Sequence, residues 1–199
     1  MLDIESRELK VGLRVSSFEP PEIFISDELA NGAGFATYIS QPEHFASLVK
    51  HTEEFFGELE DDPSHYCDTS CYDCLREYYN MPYHPLLDWR LARDMLVLGS
   101  QGTFTAEPWL DIEMDLAHTL ADEFGGSPEE LPGPAWSATT TGGPRFIVCH
   151  PFESVARPGP RLAHAIASAP HDDDGKGAVC VSSFDLTRRM GLTVVSHYE

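Results

Sequence analysis

The stretch His65-Tyr-Cys67-Asp-Thr-Ser-Cys71-Tyr-Asp-Cys74 decides the reading of this chain, because it gathers three of the five cysteines and a histidine into one short segment. The spacing H-x-C-x3-C-x2-C supplies as many soft or borderline donors as a tetrahedral zinc shell needs. A shell closed by protein ligands leaves no position for water or substrate, so the pattern points to a structural metal rather than to metal catalysis. Cys71-x2-Cys74 has the spacing of a knuckle, a short turn that aims both sulfurs at one point. Cys74 lies near an expected helix start, where the helix dipole favours the thiolate. Cys67 adds the third sulfur. His65 is the nearest fourth donor; His84 competes with it, and Cys149 is a more remote option. A redox role for the Cys71/Cys74 pair lacks the upstream strand that would position it, and three buried free thiols would be an uncommon use of this spacing.

Composition sets the frame around this cluster. At 199 residues the chain fits one domain, or a domain with a small satellite, and can bury a core without help from a metal. Hydrophobic content of 42% and charged content of 23% are those of an ordinary globular protein. No apolar run is long enough to span a bilayer, and Met1-Leu-Asp-Ile-Glu has no signal-peptide character; a cytoplasmic location without membrane attachment is expected. An odd number of cysteines, clustered at metal spacing, argues against a disulfide framework and for a reducing compartment. The net charge is -20, from 13 Lys+Arg against 33 Asp+Glu. So few cations make the isolated chain a poor ligand for phosphates. The acids serve solubility, or docking onto a basic partner.

Periodicity predicts a mixed α/β fold. Leu9, Val11, Leu13 and Val15 alternate through a strand over 8–16. Ile23-Phe24-Ile25 reads as a short buried strand, followed by the glycine-bearing turn Asp27-Glu-Leu-Ala-Asn-Gly32-Ala-Gly34-Phe35, which lacks the lysine and Ser/Thr of a phosphate loop. Pro42 opens a helix to about Leu59, with Phe45, Leu48, Val49, Thr52, Phe55 and Phe56 as its apolar stripe. A short helix is expected over Leu75–Tyr79, and a longer one from Pro85 with Gly99 as its C-cap. Beyond it come an acidic amphipathic helix over 109–124, a loop over 125–134, strands over 136–141, 145–150 and 178–183, and a helix over 161–169. The expected organisation is a zinc-binding region over 1–99 and a C-terminal α/β region over 100–199 packed on it, a helical metal module with a small mixed sheet.

The segment from Cys67 through Leu75-Arg-Glu-Tyr-Tyr-Asn-Met-Pro-Tyr-His84 to Pro85-Leu-Leu-Asp-Trp-Arg-Leu-Ala92 resembles the MrfA-type zinc-binding domain family, formerly a domain of unknown function. It is most similar to the branch found in DrmB of the bacterial DISARM anti-phage system. The likeness covers about Glu8 to Leu98, including the approach Ile23 to Phe35. Cys67, Cys71 and Cys74 match family cysteines, whereas the position of His65 is usually a further cysteine in the helicase branch. The resemblance implies zinc as cofactor, a superfamily-2 helicase or another defence-complex subunit as partner, and DNA engaged through that complex.

Enzyme motifs are incomplete. No Walker-type G-x-x-x-x-G-K-[ST] is present, so ATP hydrolysis by that route is not expected. The alternative is a nuclease-like hydrolase in the C-terminal region, which would need carboxylates such as Asp111, Glu113 and Glu153 to converge with a lysine on a metal. Lys176 is isolated, and Asp172-Asp173-Asp174 reads as a solvated turn. Cys149 and His150 are strand neighbours pointing to opposite faces, with Cys149 expected in the core. Arg188-Arg189 reads as a surface salt-bridging pair. The sequence therefore favours a non-catalytic, zinc-stabilised accessory protein acting through protein contacts. Its candidate docking faces are Phe45-Leu48-Thr52-Phe55 and Leu110-Met114-Ala117-Ala121.

Overall fold

The computed structural model describes residues 8–16, 22–28, 32, 34–170 and 177–198. The chain divides into two compact units, Met1–Phe104 and Thr105–Glu199. The fold is mixed: helices predominate, with a two-stranded and a four-stranded sheet.

In the first unit, β1 (Leu9–Arg14) and β2 (Glu22–Asp27) form an antiparallel hairpin in which Val11 lies opposite Ile25 and Leu13 opposite Ile23. Directly paired residues share a face, so these side chains make one apolar patch. The patch is exposed, contrary to the buried strand expected at Ile23–Ile25. Alternation fixes which residues share a face but not what covers it. On the other face Phe24 lies over Gly12, where a Cβ would meet the ring at 2.2 Å. Helix α1 (Phe35–Ile39) follows Gly34, whose φ of 80° requires the left-handed conformation glycine allows.

Helix α2 (Pro42–Asp61) starts at its proline as expected, with the ring at a position whose N–H has no intrahelical partner. Its stripe is only partly core: Phe56 is buried, but Phe45, Leu48 and Phe55 are exposed. Helix α3 (Trp89–Gln101) packs against it. Arg93 joins the two, reaching Glu60 at 2.5 Å and Asp94 at 3.2 Å, and Ser100 donates to Glu53 at 2.8 Å. Between the helices lies the cysteine segment, then 3-10 turns over Tyr78–Leu86. No α-helix forms over Leu75–Tyr79 or from Pro85. Pro82 and Pro85 have no N–H to give to an α-helical ladder, and the Asp88 side chain instead caps α3 by accepting from the Arg90 and Leu91 amides. Gly99 is internal to α3, and Gly102, with φ 73°, ends it.

In the second unit a 3-10 turn (Glu107–Trp109) leads into α4 (Leu110–Phe124). The sheet then runs β3 (Pro128–Leu131), β4 (Ala135–Ala138), β5 (Phe146–Cys149) and β6 (Val179–Ser182), in that spatial order. The first two pairings are antiparallel. The β5/β6 pairing is parallel, with α5 (Pro160–Ser168) as the connection. Helix α6 (Ser183–Val195) ends the unit, with a break in helical geometry at Arg189. Strand β5 is buried on both faces. Phe146 and Val148 pack with α4 and α6, while Ile147 and Cys149 pack with Leu162 and Ala165 of α5. Cys149 is thus in the core, as its strand position implies. The second proposed docking face is core as well, since Ala117 and Ala121 are buried beneath the sheet. Strand β3 and helix α6 were not legible: β3 opens on a proline and carries two glutamates, and the turn at Arg189 interrupts the period of α6. Asp172, Asp173, Asp174 and Lys176 lie outside the described residues.

The exit of α4 gives a direct test of this packing. A Cβ on Gly126 would sit 1.8 Å from the Thr139 carbonyl oxygen, which is backbone and cannot swing away. Gly126→Ala should therefore destabilise the second unit by about 1–3 kcal/mol. The expected readout is a lower thermal midpoint, with faster hydrogen exchange across β3 and β4; unchanged exchange there would refute the close approach.

Candidate metal centre

The cysteine segment folds back so that the donor atoms of His65, Cys67, Cys71 and Cys74 all lie within 4.8 Å of one another. The Cys67–Cys74 sulfurs are 3.9 Å apart, the Cys71–Cys74 sulfurs 3.6 Å, and the Cys71 sulfur is 3.5 Å from His65 Nε2. A tetrahedral ion with Zn–S bonds of about 2.3 Å and a Zn–N bond of about 2.1 Å has S–S edges of about 3.8 Å and S–N edges of about 3.6 Å. These three edges match a tetrahedral zinc shell, and the donor set is that of one, with every donor within 4.8 Å of the others. His84 is turned elsewhere: its Nε2 is 2.8 Å from Asn80 Oδ1 and 3.0 Å from the Glu77 carbonyl. Cys149 belongs to the other unit's core.

Local backbone bonds shape the knuckle. The Cys71 amide donates to the Cys74 sulfur at 3.0 Å, and the Leu75 and Arg76 amides donate to the Cys71 carbonyl at 3.1 and 2.8 Å. The loop Cys67–Ser70 is held from α3. Trp89 donates its indole N–H to the Cys67 carbonyl at 3.0 Å and its amide to the Thr69 carbonyl at 2.8 Å, and Arg90 donates to the Asp68 carbonyl at 2.6 Å. Arg76 adds a bond to Ser70 Oγ at 2.9 Å. His65 rests edge-on against the Trp89 ring, with centroids 5.4 Å apart, and its buried Nδ1 has no hydrogen-bond partner among the described residues. Packing on Trp89 thus orients this ring where metal-bound histidines usually have an outer hydrogen bond.

Electrostatics within the cluster favour a cation. Burial opposes ionisation of Cys71, but the Asp73 amide and His65 outweigh it and bring that thiol down to about 7. Burial pushes Cys67 up to about 12, with the neighbouring sulfurs adding to the effect. Cys74 is also raised by burial, contrary to the helix-start expectation, since no α-helix begins there. Close sulfurs cannot all ionise without a compensating positive charge. A divalent ion would supply that charge, and its uptake would displace protons.

The carboxylates of the hydrolase alternative are brought together only in part. Glu113 and Glu153 converge, but on Arg161. That guanidinium grips Glu113 at 2.8 and 2.9 Å, bonds Glu153 Oε1 at 3.2 Å and pairs with its other oxygen. Glu153 also accepts from the His150 amide at 3.1 Å. Asp111 is on the exposed side of α4. Sequence reasoning missed Arg161, because nothing local links it to a glutamate 48 positions away. Burial raises the Glu113 carboxyl to about 7 against the pull of Arg161, with the Glu153 charge adding to the rise.

No protein-family model, curated protein or solved structure matches the chain.

Two outcomes follow from this geometry. Trp89→Phe keeps the ring but removes the N–H that holds the Cys67 carbonyl; competition with a chelator should show metal affinity falling about 10–100-fold. Unaltered affinity would mean the indole bond does not position the site. For Glu113, a folded-state carboxyl at about 7 against 4.5 unfolded means that the folded form holds the extra proton in between. Stability contributed at low pH is then lost as pH rises from about 4.5 to 7, by roughly 3 kcal/mol at most. Denaturation of the second unit across this window should show that slope in the native chain and not in Glu113→Gln; equal slopes would place the proton elsewhere.

Proposed function

We propose that His65, Cys67, Cys71 and Cys74 hold one structural zinc ion, and that the protein is a non-catalytic accessory subunit or domain of a helicase-containing, DISARM-like anti-phage complex. The observation that carries this reading is the tetrahedron-sized donor cluster together with its brace from Trp89 and Arg90. Cys67, Cys71, Cys74, Trp89 and Arg90 lie in the segment by which the chain resembles the MrfA-type zinc-binding family, whereas His65 stands where the helicase branch usually has a cysteine. In this reading zinc fixes the loop between α2 and α3, the protein acts in the cytoplasm through protein contacts, and DNA is reached only through the assembled complex. The deficit of cations supports that indirect route. Exposed Phe45, Leu48 and Phe55 on α2 offer one apolar face for a partner. No helix among the described residues is long and apolar enough to cross a membrane. The engagement of both Glu113 oxygens by Arg161 favours a structural role for that carboxylate over the metal-binding role a nuclease-like hydrolase would give it.

The test combines metal analysis with partner recovery. The purified chain should contain about one zinc, with sulfur and nitrogen neighbours in a 3:1 ratio by X-ray absorption. Cys71→Ser should lose the metal and loosen residues 63–80, because zinc-binding energy on the order of 10 kcal/mol is local folding energy. Native pull-downs should recover a helicase subunit, and the isolated chain should cleave neither ATP nor DNA. Absence of metal overturns the zinc assignment. DNA cleavage abolished by Asp111→Asn, at an exposed position, establishes the hydrolase instead.

A further inference from the structure

The metal module carries a row of aromatic and thioether side chains, exposed at Tyr72, Tyr78, Tyr79 and Met81 and half-buried at His84. In 3-10 geometry residues three apart lie one above another, so Tyr78, Met81 and His84 form a column along the turns Tyr78–Leu86. Tyr72 from the knuckle meets His84 edge-on at 5.8 Å, and Tyr79 meets Tyr78 edge-on at 5.4 Å. These two ring pairs, set at either end of the column, define a strip from the knuckle to the start of the turns. Tyr72, Tyr78 and Tyr79 are 69%, 72% and 69% exposed, and Met81 is 47% exposed. Tyrosines left in water here contribute no core packing. They are rigid, carry a large contact area, and are enriched at protein interfaces.

The charge of the same stretch of chain indicates what the strip meets. From Asp61 to Leu86 the chain carries Asp61, Asp62, Asp68, Asp73 and Glu77, all exposed, against Arg76 alone among lysines and arginines. Arg76 is engaged with Ser70. Such a border repels phosphates and attracts a basic segment. Exposed aromatic faces on an acidic stretch of chain favour arginine, whose planar cation stacks on rings and bonds carboxylates. The same module shows the contact in miniature, with the Arg90 guanidinium 4.8 Å from the centre of the Trp89 ring.

We propose that the strip Tyr72–His84–Met81–Tyr78–Tyr79 is a docking surface for an arginine-rich segment of a protein partner. The inference deepens the accessory-subunit reading and rests on it for the partner's identity, but not for the chemistry of the surface. The probes are a short arginine-rich peptide, a lysine-rich peptide of the same length and oligothymidylate, each titrated into the full zinc-loaded chain. The arginine peptide should bind most tightly, with affinity falling as salt rises. The double variant Tyr78→Ser/Tyr79→Ser leaves net charge unchanged and should weaken that peptide roughly tenfold. Leu192→Ser, at an exposed position of α6, should have no effect. Should the double variant lose its metal, Met81→Ser carries the same test with every tyrosine retained. Equal binding by wild type and variant overturns the proposal, because charge alone then explains the affinity. Preferential binding of oligothymidylate, or self-association abolished by the variant, overturns it in favour of nucleic acid or a second copy. A helicase subunit recovered equally by wild type and variant refutes this surface while sparing the accessory reading. Tyrosine-dependent peptide binding with no helicase recovered does the reverse.

Discussion

Trp89 gives its indole N–H to the Cys67 carbonyl, its amide to the Thr69 carbonyl and its ring to the edge of His65. A loop bearing several thiols has little apolar surface of its own to bury, and its backbone carbonyls need donors. The first turn of α3 supplies them. Asp88 caps that turn, Trp89 is buried at its start, and Arg90 reaches back to the Asp68 carbonyl. The same helix is tied to α2 through Arg93 and Glu60. The geometry of the donor cluster is thereby linked to the helical pair on which the first unit is built, and a shift in the register of α3 would be felt at every sulfur.

The parts of the structure legible in the sequence are those whose logic is local. The H-x-C-x3-C-x2-C spacing already contains the centre, because all its donors fall in one turn-rich segment. The choice between His65 and His84 was not legible; it depends on Asn80 and the Glu77 carbonyl occupying the His84 ring, a matter of side-chain direction. The brace was visible as a run of residues but not as a role, since its bonds go to carbonyls 22 positions upstream, and carbonyls carry no sequence signature. The hairpin shows the complementary limit. Val11, Leu13, Ile23 and Ile25 alternate as strand residues should, yet their period cannot report that the face they make is left uncovered.

The second unit solves a different problem. Strand β5 is buried on both faces, so the sheet is covered on each side by helices, and a charged network links the helices of the two faces. Arg161 bridges Glu113 and Glu153, whose side chains are 0% and 7% exposed. Buried ions of this kind add little net stability compared with an apolar core, but removing one partner strands the others at a cost of about 3–5 kcal/mol. The triad therefore restricts which substitutions the unit can accept, and it joins α4, the loop after β5 and α5 through side-chain bonds that tolerate little displacement.

The compactness of the metal segment along the chain also sets an order of events. Its donors lie between His65 and Cys74 and its brace is complete at Arg90. Closing short loops is entropically cheap, whereas the parallel pairing of β5 with β6 must await Val179–Ser182. During synthesis from the N-terminus, the segment that carries the clustered donors leaves the ribosome well before the second sheet can close. If the cluster takes up zinc as proposed, metal supply would act on the nascent chain, and a shortage would be registered before the second unit is complete.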